Sequence, residues 1–116
     1  MPRRDADVRL RHMLDAAREG VQMAQGKTRA ALDADCPLNL SLVRLLEIDG
    51  EAASRVPARE RAKYPGIPWA QIVGLRNRLI HGYDNVDFDI LWHIVTQDLP
   101  PLIVQLEKML LAAPQS

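Results

Sequence analysis

Apolar residues in this chain return every three or four positions. Leu10, Leu14, Ala17, Val21 and Ala24 form one stripe between Asp5 and Gln25. Leu38, Leu42, Leu45, Leu46, Ala52, Ala53 and Val56 form a second. Phe88, Trp92, Val95, Leu99, Leu102, Leu106 and Met109 form a third. That spacing lays side chains along one face of an α-helix, so the chain must bury helix against helix. Aromatics make up 4% of the residues, and the apolar mass is mostly Leu, Ala, Val and Ile, which suits helices better than a sheet. The expected fold is all-α.

Punctuation marks the ends of the elements. Gly26 ends the first helix, and Thr28 is placed to cap a short second one running to about Ala34. Pro37 opens the next long helix and Pro57 stops it, with Gly50 inside it. Glycine there costs up to about 1 kcal/mol against alanine, and close approach of a neighbouring helix would explain it. Residues 57–68 read as a loop with one turn around Arg59–Lys63. Pro68 suits the first turn of a helix reaching Ile80 or His81, where Gly82 can terminate it. Asp84-Asn85 read as a turn, and Asp87 as the cap of the last helix. Pro100-Pro101 interrupt that helix without disturbing its apolar phase. This predicts one kinked helix, or two coaxial ones with Asp98 capping the second. With 116 residues and no linker or repeat, residues 1–116 read as a single domain.

Composition excludes several functions. Fifteen basic and fifteen acidic residues give zero net charge, so no global basic footprint draws the chain to nucleic acid. Local clusters exist at Arg3, Arg4, Arg9 and Arg11, and at Arg55, Arg59, Arg61 and Lys63. They read first as solvated faces and second as guides for RNA. Cys36 is the only cysteine, which rules out an internal disulfide and a cysteine zinc site. His12, His81 and His93 lack metal-ligand spacing, so no metal or cofactor is expected. No apolar run approaches the roughly 20 residues of a membrane span, and the start of the chain is charged. A cytoplasmic protein without a membrane partner is the expectation.

Residues 69–83 carry the chemistry. On an ideal helix, Arg76 falls within the apolar arc of Trp69, Ile72, Val73, Leu75, Leu79, Ile80 and Tyr83. A guanidinium there is a structural group paired with a carboxylate such as Glu47 or Glu51, or one whose stem packs while its head snorkels out, or one that awaits an anionic ligand. Gly74, Asn77, Arg78 and His81 share the opposite face. An imidazole near the helix end suits proton transfer at neutral pH. Arg76 and His81 stand about 140° apart on a straight helix. They meet on one substrate only if the helix distorts or a two-fold related copy completes the site.

The run Pro68-Trp69-Ala70-Gln71-Ile72-Val73-Gly74-Leu75-Arg76-Asn77-Arg78-Leu79-Ile80-His81-Gly82-Tyr83, with Val86-Asp87 and Trp92 after it, resembles the HepT-like branch of the HEPN superfamily. Glu47-Ile48-Asp49-Gly50-Glu51-Ala52-Ala53 and Asp98-Leu99-Pro100 match it too, in the expected order over roughly residues 5–112. The resemblance implies an antiparallel four- to five-helix bundle that forms a homodimer. It also implies a toxin of a bacterial toxin–antitoxin pair, a metal-independent endoribonuclease. Arg76 and His81 would be its catalytic residues in the dimer cleft, with Asn77 in support and transfer RNA a candidate substrate. A nucleotidyltransferase antitoxin would silence it by attaching AMP to Tyr83. The alternative is a non-catalytic helical dimer that binds RNA, a nucleotide or that partner.

Overall fold

The computed structural model describes residues 2–80 and 85–112. Among these the regular elements are all helical. They are α1 (Pro2–Ala24), α2 (Ala31–Ala34), α3 (Cys36–Ser54), α4 (Ala58–Arg61), α5 (Trp69–Val73), α6 (Leu75–Leu79), α7 (Phe88–His93) and α8 (Leu99–Ala112). A single π-helical turn, Ile94–Asp98, joins α7 to α8.

The long helices form where the stripes predict. Leu10, Leu14, Ala17 and Ala24 of α1 are buried, as are Leu38, Leu42, Leu45 and Leu46 of α3. Helix α1 packs most extensively on α3 and next on α8. Met13, Leu42, Leu46, Leu79, Leu91, Ile94, Leu99 and Leu106 interlock as the fully buried centre, drawing α1, α3, α6, α7, the π turn and α8 into one core. Gly26 has a φ of 74° just past α1, the left-handed conformation that lets a chain leave a helix end cheaply.

Caps set the register. Asp35 Oδ1 accepts from the Leu38 N–H at 3.0 Å, so α3 begins at Cys36, one residue before the expected Pro37. The Asn39 amide donates to Leu32 O at 2.8 Å and ties α2 to α3. Thr28 does not cap α2 with its hydroxyl; its carbonyl accepts from the Ala31 N–H at 3.0 Å, and α2 has no side-chain cap. Asp87 Oδ1 caps α7 through the Ile90 N–H at 3.0 Å, as its position predicts.

Two expectations for the later helices need correction. The helix over 69–81 is two five-residue helices meeting at Gly74, whose backbone (φ −86°, ψ 8°) lies in the bridge region. It ends at Leu79, because Ile80 is extended and pairs antiparallel with Val86. The Asp87 N–H donates to Leu79 O at 2.8 Å and closes this junction. The last helix is neither simply kinked nor restarted by a capping Asp98. Pro100 and Pro101 carry no N–H, so Thr96 and Gln97 lose their ordinary helical donors. The helix widens just before them, and the Leu99 N–H reaches back five residues to Ile94 O. The extra residue is absorbed there, so Leu91, Ile94 and Val95 before the turn and Leu99, Leu102 and Leu106 after it all stay buried.

Candidate functional site

The groove between α3 and the α5–α6 pair is set by a glycine. A Cβ on Gly50 would lie 3.0 Å from Ile72 O and 3.6 Å from Val73 O. Glycine therefore lets the end of α5 rest directly on α3, the close approach its position predicts. Asp49, its neighbour, is wholly buried, and neither carboxylate oxygen has a hydrogen-bond partner. Burial pushes this carboxyl up to about 8.

Arg76 is not in the core. Its side chain is 69% exposed. The apolar arc is narrower than the helical wheel implies. Ile72, Leu75 and Leu79 face the core, while Val73 is 39% exposed. Arg76 shares the flank of Val73, and both line a cavity of about 470 Å³ with Arg44, Glu47, Gly50, Glu51 and Ser54 of α3. Arg76 Nε stands 3.4 Å from Glu47 Oε2, and Arg44 approaches Glu47 from the other side at 4.0 Å. Of the two carboxylates expected for Arg76, Glu47 is the partner; Glu51 pairs with Arg55 at 2.9 Å. An exposed pair of this kind contributes roughly 0–1 kcal/mol, so a phosphate oxygen can displace Glu47 at little cost.

Asn77 is exposed beside Arg76, and Arg78 lies on the far flank of α6. Arg78 Nη2 is 3.8 Å from Asp98 Oδ2, and His93 Nε2 is 3.6 Å from Asp98 Oδ1. The exposed side of α6 is thus a strip of Arg76, Asn77 and Arg78. Each cation is loosely held by a carboxylate from a neighbouring element. His81 and Tyr83, the other two site residues expected from the sequence, lie outside the described residues, as do Gly82 and Asp84. Because α6 ends at Leu79, the 140° separation drawn on a straight helix does not extend to His81.

In the middle basic cluster Arg55, Arg59 and Lys63 are exposed, and Arg61 alone has a structural role. Arg61 donates to Ala53 O (2.9 Å) at the end of α3 and to Val56 O (3.0 Å) just beyond it, and its guanidinium lies 6.0 Å from the centre of the Trp69 ring. Lys63 pairs with Glu60 at 2.7 Å. The charge run alone did not reveal the Arg61 role, because its partners are backbone carbonyls.

An all-helical bundle whose short helix α6 presents Arg-Asn-Arg beside a groove, just ahead of a histidine, has the form of a small helical nuclease. Residues 13–109 match the family model for Ribonuclease HepT-like. The chain belongs to this HepT-like ribonuclease family of the HEPN type. Similar proteins include "Putative RNase MJ1380" of Methanocaldococcus jannaschii, 33% identical over 92% of this chain and 98% of its own. Another is "Putative RNase TTE0752" of Caldanaerobacter subterraneus subsp. tengcongensis, 33% identical over 87% of this chain and 90% of its own. "Probable ribonuclease HepT" of Thermococcus cleftensis is 37% identical over 65% of this chain and 68% of its own. No solved structure matches. Among the described residues, no helix is long and apolar enough to cross a membrane.

Proposed function

We propose that this ribonuclease is the toxin of a toxin–antitoxin pair. It works as a homodimer and cuts RNA without a metal ion, with transfer RNA a candidate substrate. Arg76 and His81 are its catalytic residues, and Asn77 orients the imidazole or a phosphate oxygen. The observation that carries this reading is the Arg76 guanidinium, exposed over a groove and held, among the described residues, by a displaceable Glu47 at 3.4 Å.

The chemistry needs little more than these groups. The 2′-oxygen attacks the adjacent phosphorus, forming the P–O2′ bond and breaking the P–O5′ bond. One proton leaves the 2′-hydroxyl and one reaches the departing 5′-oxygen, and His81 serves one of these transfers. Arg76 neutralises the charge that gathers on the phosphoryl oxygens in the transition state. The partner is a nucleotidyltransferase antitoxin. It attaches AMP to Tyr83, which adds bulk and negative charge next to the motif and so repels RNA.

Expression of the wild-type chain, Arg76→Ala and His81→Ala in a sensitive host tests the reading. Growth arrest is expected from the wild type alone, with RNA cleavage by either variant reduced about 100-fold or more. Equal toxicity from all three chains, with folding and dimerisation matched, would overturn the catalytic assignment. Tyr83→Phe should escape the antitoxin. If it is neutralised as fully as the wild type, with no modification elsewhere, the AMP account fails.

A further inference from the structure

On the other flank of α6 lies a second cavity that the cleavage chemistry does not use. It encloses about 280 Å³ between α5–α6 and the junction of the π turn with α8. Ile67, Ile72, Leu75, Ile94, Leu99 and Leu102 make its apolar wall. Its rim carries Arg78, Asp98, Gln71 and Gln105. Ligand cavities for whole drug-sized molecules run from about 300 to 1,000 Å³, so this one fits a single planar heterocycle better than a complete nucleotide.

We propose that this cavity takes a guanine base of the RNA substrate, read by Asp98 and Arg78. The proposal rests on the nuclease reading above and adds a base-recognition subsite to it.

The charges on the rim choose the base. Arg78 and Asp98 are 3.8 Å apart, too far for a firm hydrogen bond, and their side chains are 37% and 43% exposed. Each therefore keeps hydrogen-bonding capacity for a ligand. Guanine presents two adjacent donors, N1–H and N2–H, which a carboxylate accepts side by side. Next to them lie the O6 and N7 acceptors that an arginine meets best. Adenine and cytosine would turn a ring-nitrogen acceptor toward the Asp98 carboxylate, and uracil has only one N–H to offer it. The leucine and isoleucine walls cover the faces of the ring, so discrimination falls to its edge.

The fold builds the carboxylate into place. Asp98 is the last residue of the π turn, a widened turn of the kind often found at functional sites. His93, one turn earlier, lies 3.6 Å from the other carboxylate oxygen. The location suits the substrate as well. Arg76 and Arg78 stand on opposite flanks of one short helix, with the exposed Asn77 between them. A single strand crossing α6 can set a phosphate against Arg76 and turn a neighbouring base into the cavity, since unpaired RNA bases splay out readily.

The test uses the full chain and the four nucleoside 5′-monophosphates in titration calorimetry, together with mapping of cut positions in RNA of mixed sequence. Guanosine monophosphate should bind at least about tenfold more tightly than the other three. Asp98→Asn should abolish that preference, because an amide offers a donor where guanine needs an acceptor. Leu102→Trp fills the cavity without altering a charge and should abolish binding, with helicity by circular dichroism unchanged in both variants. Cuts by the wild type should fall at a fixed offset from guanosine, and Asp98→Asn should scatter them. Equal binding of the four nucleotides, or a guanine preference that survives both folded variants, overturns the proposal. Tight binding of the nucleotide with cuts that ignore guanosine assigns the cavity to a free guanine nucleotide and overturns its place in the substrate path. RNA cleavage without any guanine preference sinks the subsite and leaves the nuclease reading standing. A guanine preference that depends on Asp98, in a chain that cuts no RNA, overturns the nuclease reading and the cavity's place in a substrate path, and leaves it a site for a free guanine nucleotide.

Discussion

Asp49 is a carboxyl enclosed by the core with no hydrogen bond to either oxygen. Burial raises it from 3.8 to about 8. Between those values the folded chain holds a proton that the unfolded chain has released. The contribution of Asp49 to stability is therefore greatest at low pH and falls as pH rises through this window, by up to about 1.4 kcal/mol per pH unit. Asp49→Asn has nearly the same shape and cannot ionise. Thermal unfolding at pH 5 and pH 9 should show the wild type losing much more of its midpoint temperature than Asp49→Asn, and matching slopes would contradict the account. Side-chain roles divide by how local they are. Glu47 as a partner for Arg76 was legible only as one of two carboxylates, with Glu51, and it was reached from a burial of Arg76 that the 69% exposed side chain does not show. The burial of Asp49 was not, since in sequence it sits among Glu47, Gly50 and Glu51 and reads as part of a polar stretch. Nor was the Asp98 pairing with Arg78 and His93, which depends on a turn the sequence does not announce.

Among the elements, the contact between α3 and α5 has the least room to give. Gly50→Ala places a methyl group 3.0 Å from Ile72 O, and a backbone carbonyl cannot rotate away as a side chain can. The substitution should destabilise by about 1–3 kcal/mol, since overpacking forces the backbone to shift. That corresponds to a fall of roughly 4–8 °C in midpoint temperature per kcal/mol for a domain near 100 residues. It should also weaken RNA cleavage, because Val73 and Arg76 line the same groove. A Gly50→Ala chain with an unchanged melting curve would show that α5 does not rest on α3 in this way. The long helices and the Asp87 cap could be read from spacing and end residues, which act locally. The break at Gly74 and the π turn at Ile94–Asp98 could not be placed so directly. Both leave the apolar phase nearly intact, and the wheel averages over them. Treating 69–83 as one straight helix is what moved Arg76 into the core, when the buried residues of that stretch are Trp69, Ile72, Leu75 and Leu79.

For the whole molecule, zero net charge means that RNA is not captured by a general field. On the proposed reading binding depends on a few guanidiniums placed along α6, and several other described arginines are already engaged. Arg18 pairs with Glu107, Arg29 with Asp33 and Asp89, Arg55 with Glu51, and Arg61 with the end of α3. Family membership was legible from the motif and its flanks, because those residues come in one continuous run. The shape of the proposed site was not, because on the dimer reading it depends on a second chain. The reading to test is that, in the proposed dimer, Arg76 of one chain acts with His81 of the other, the two-fold alternative the sequence offers. Co-expression of Arg76→Ala with His81→Ala tests it most directly. If the site is shared, random pairing makes half of the dimers mixed, and each mixed dimer keeps one intact site. The mixture should then recover about one quarter of wild-type ribonuclease activity, from two chains that are inactive alone. If the site lies within a single chain, no pairing restores it, and a mixture as inactive as either variant would contradict the account.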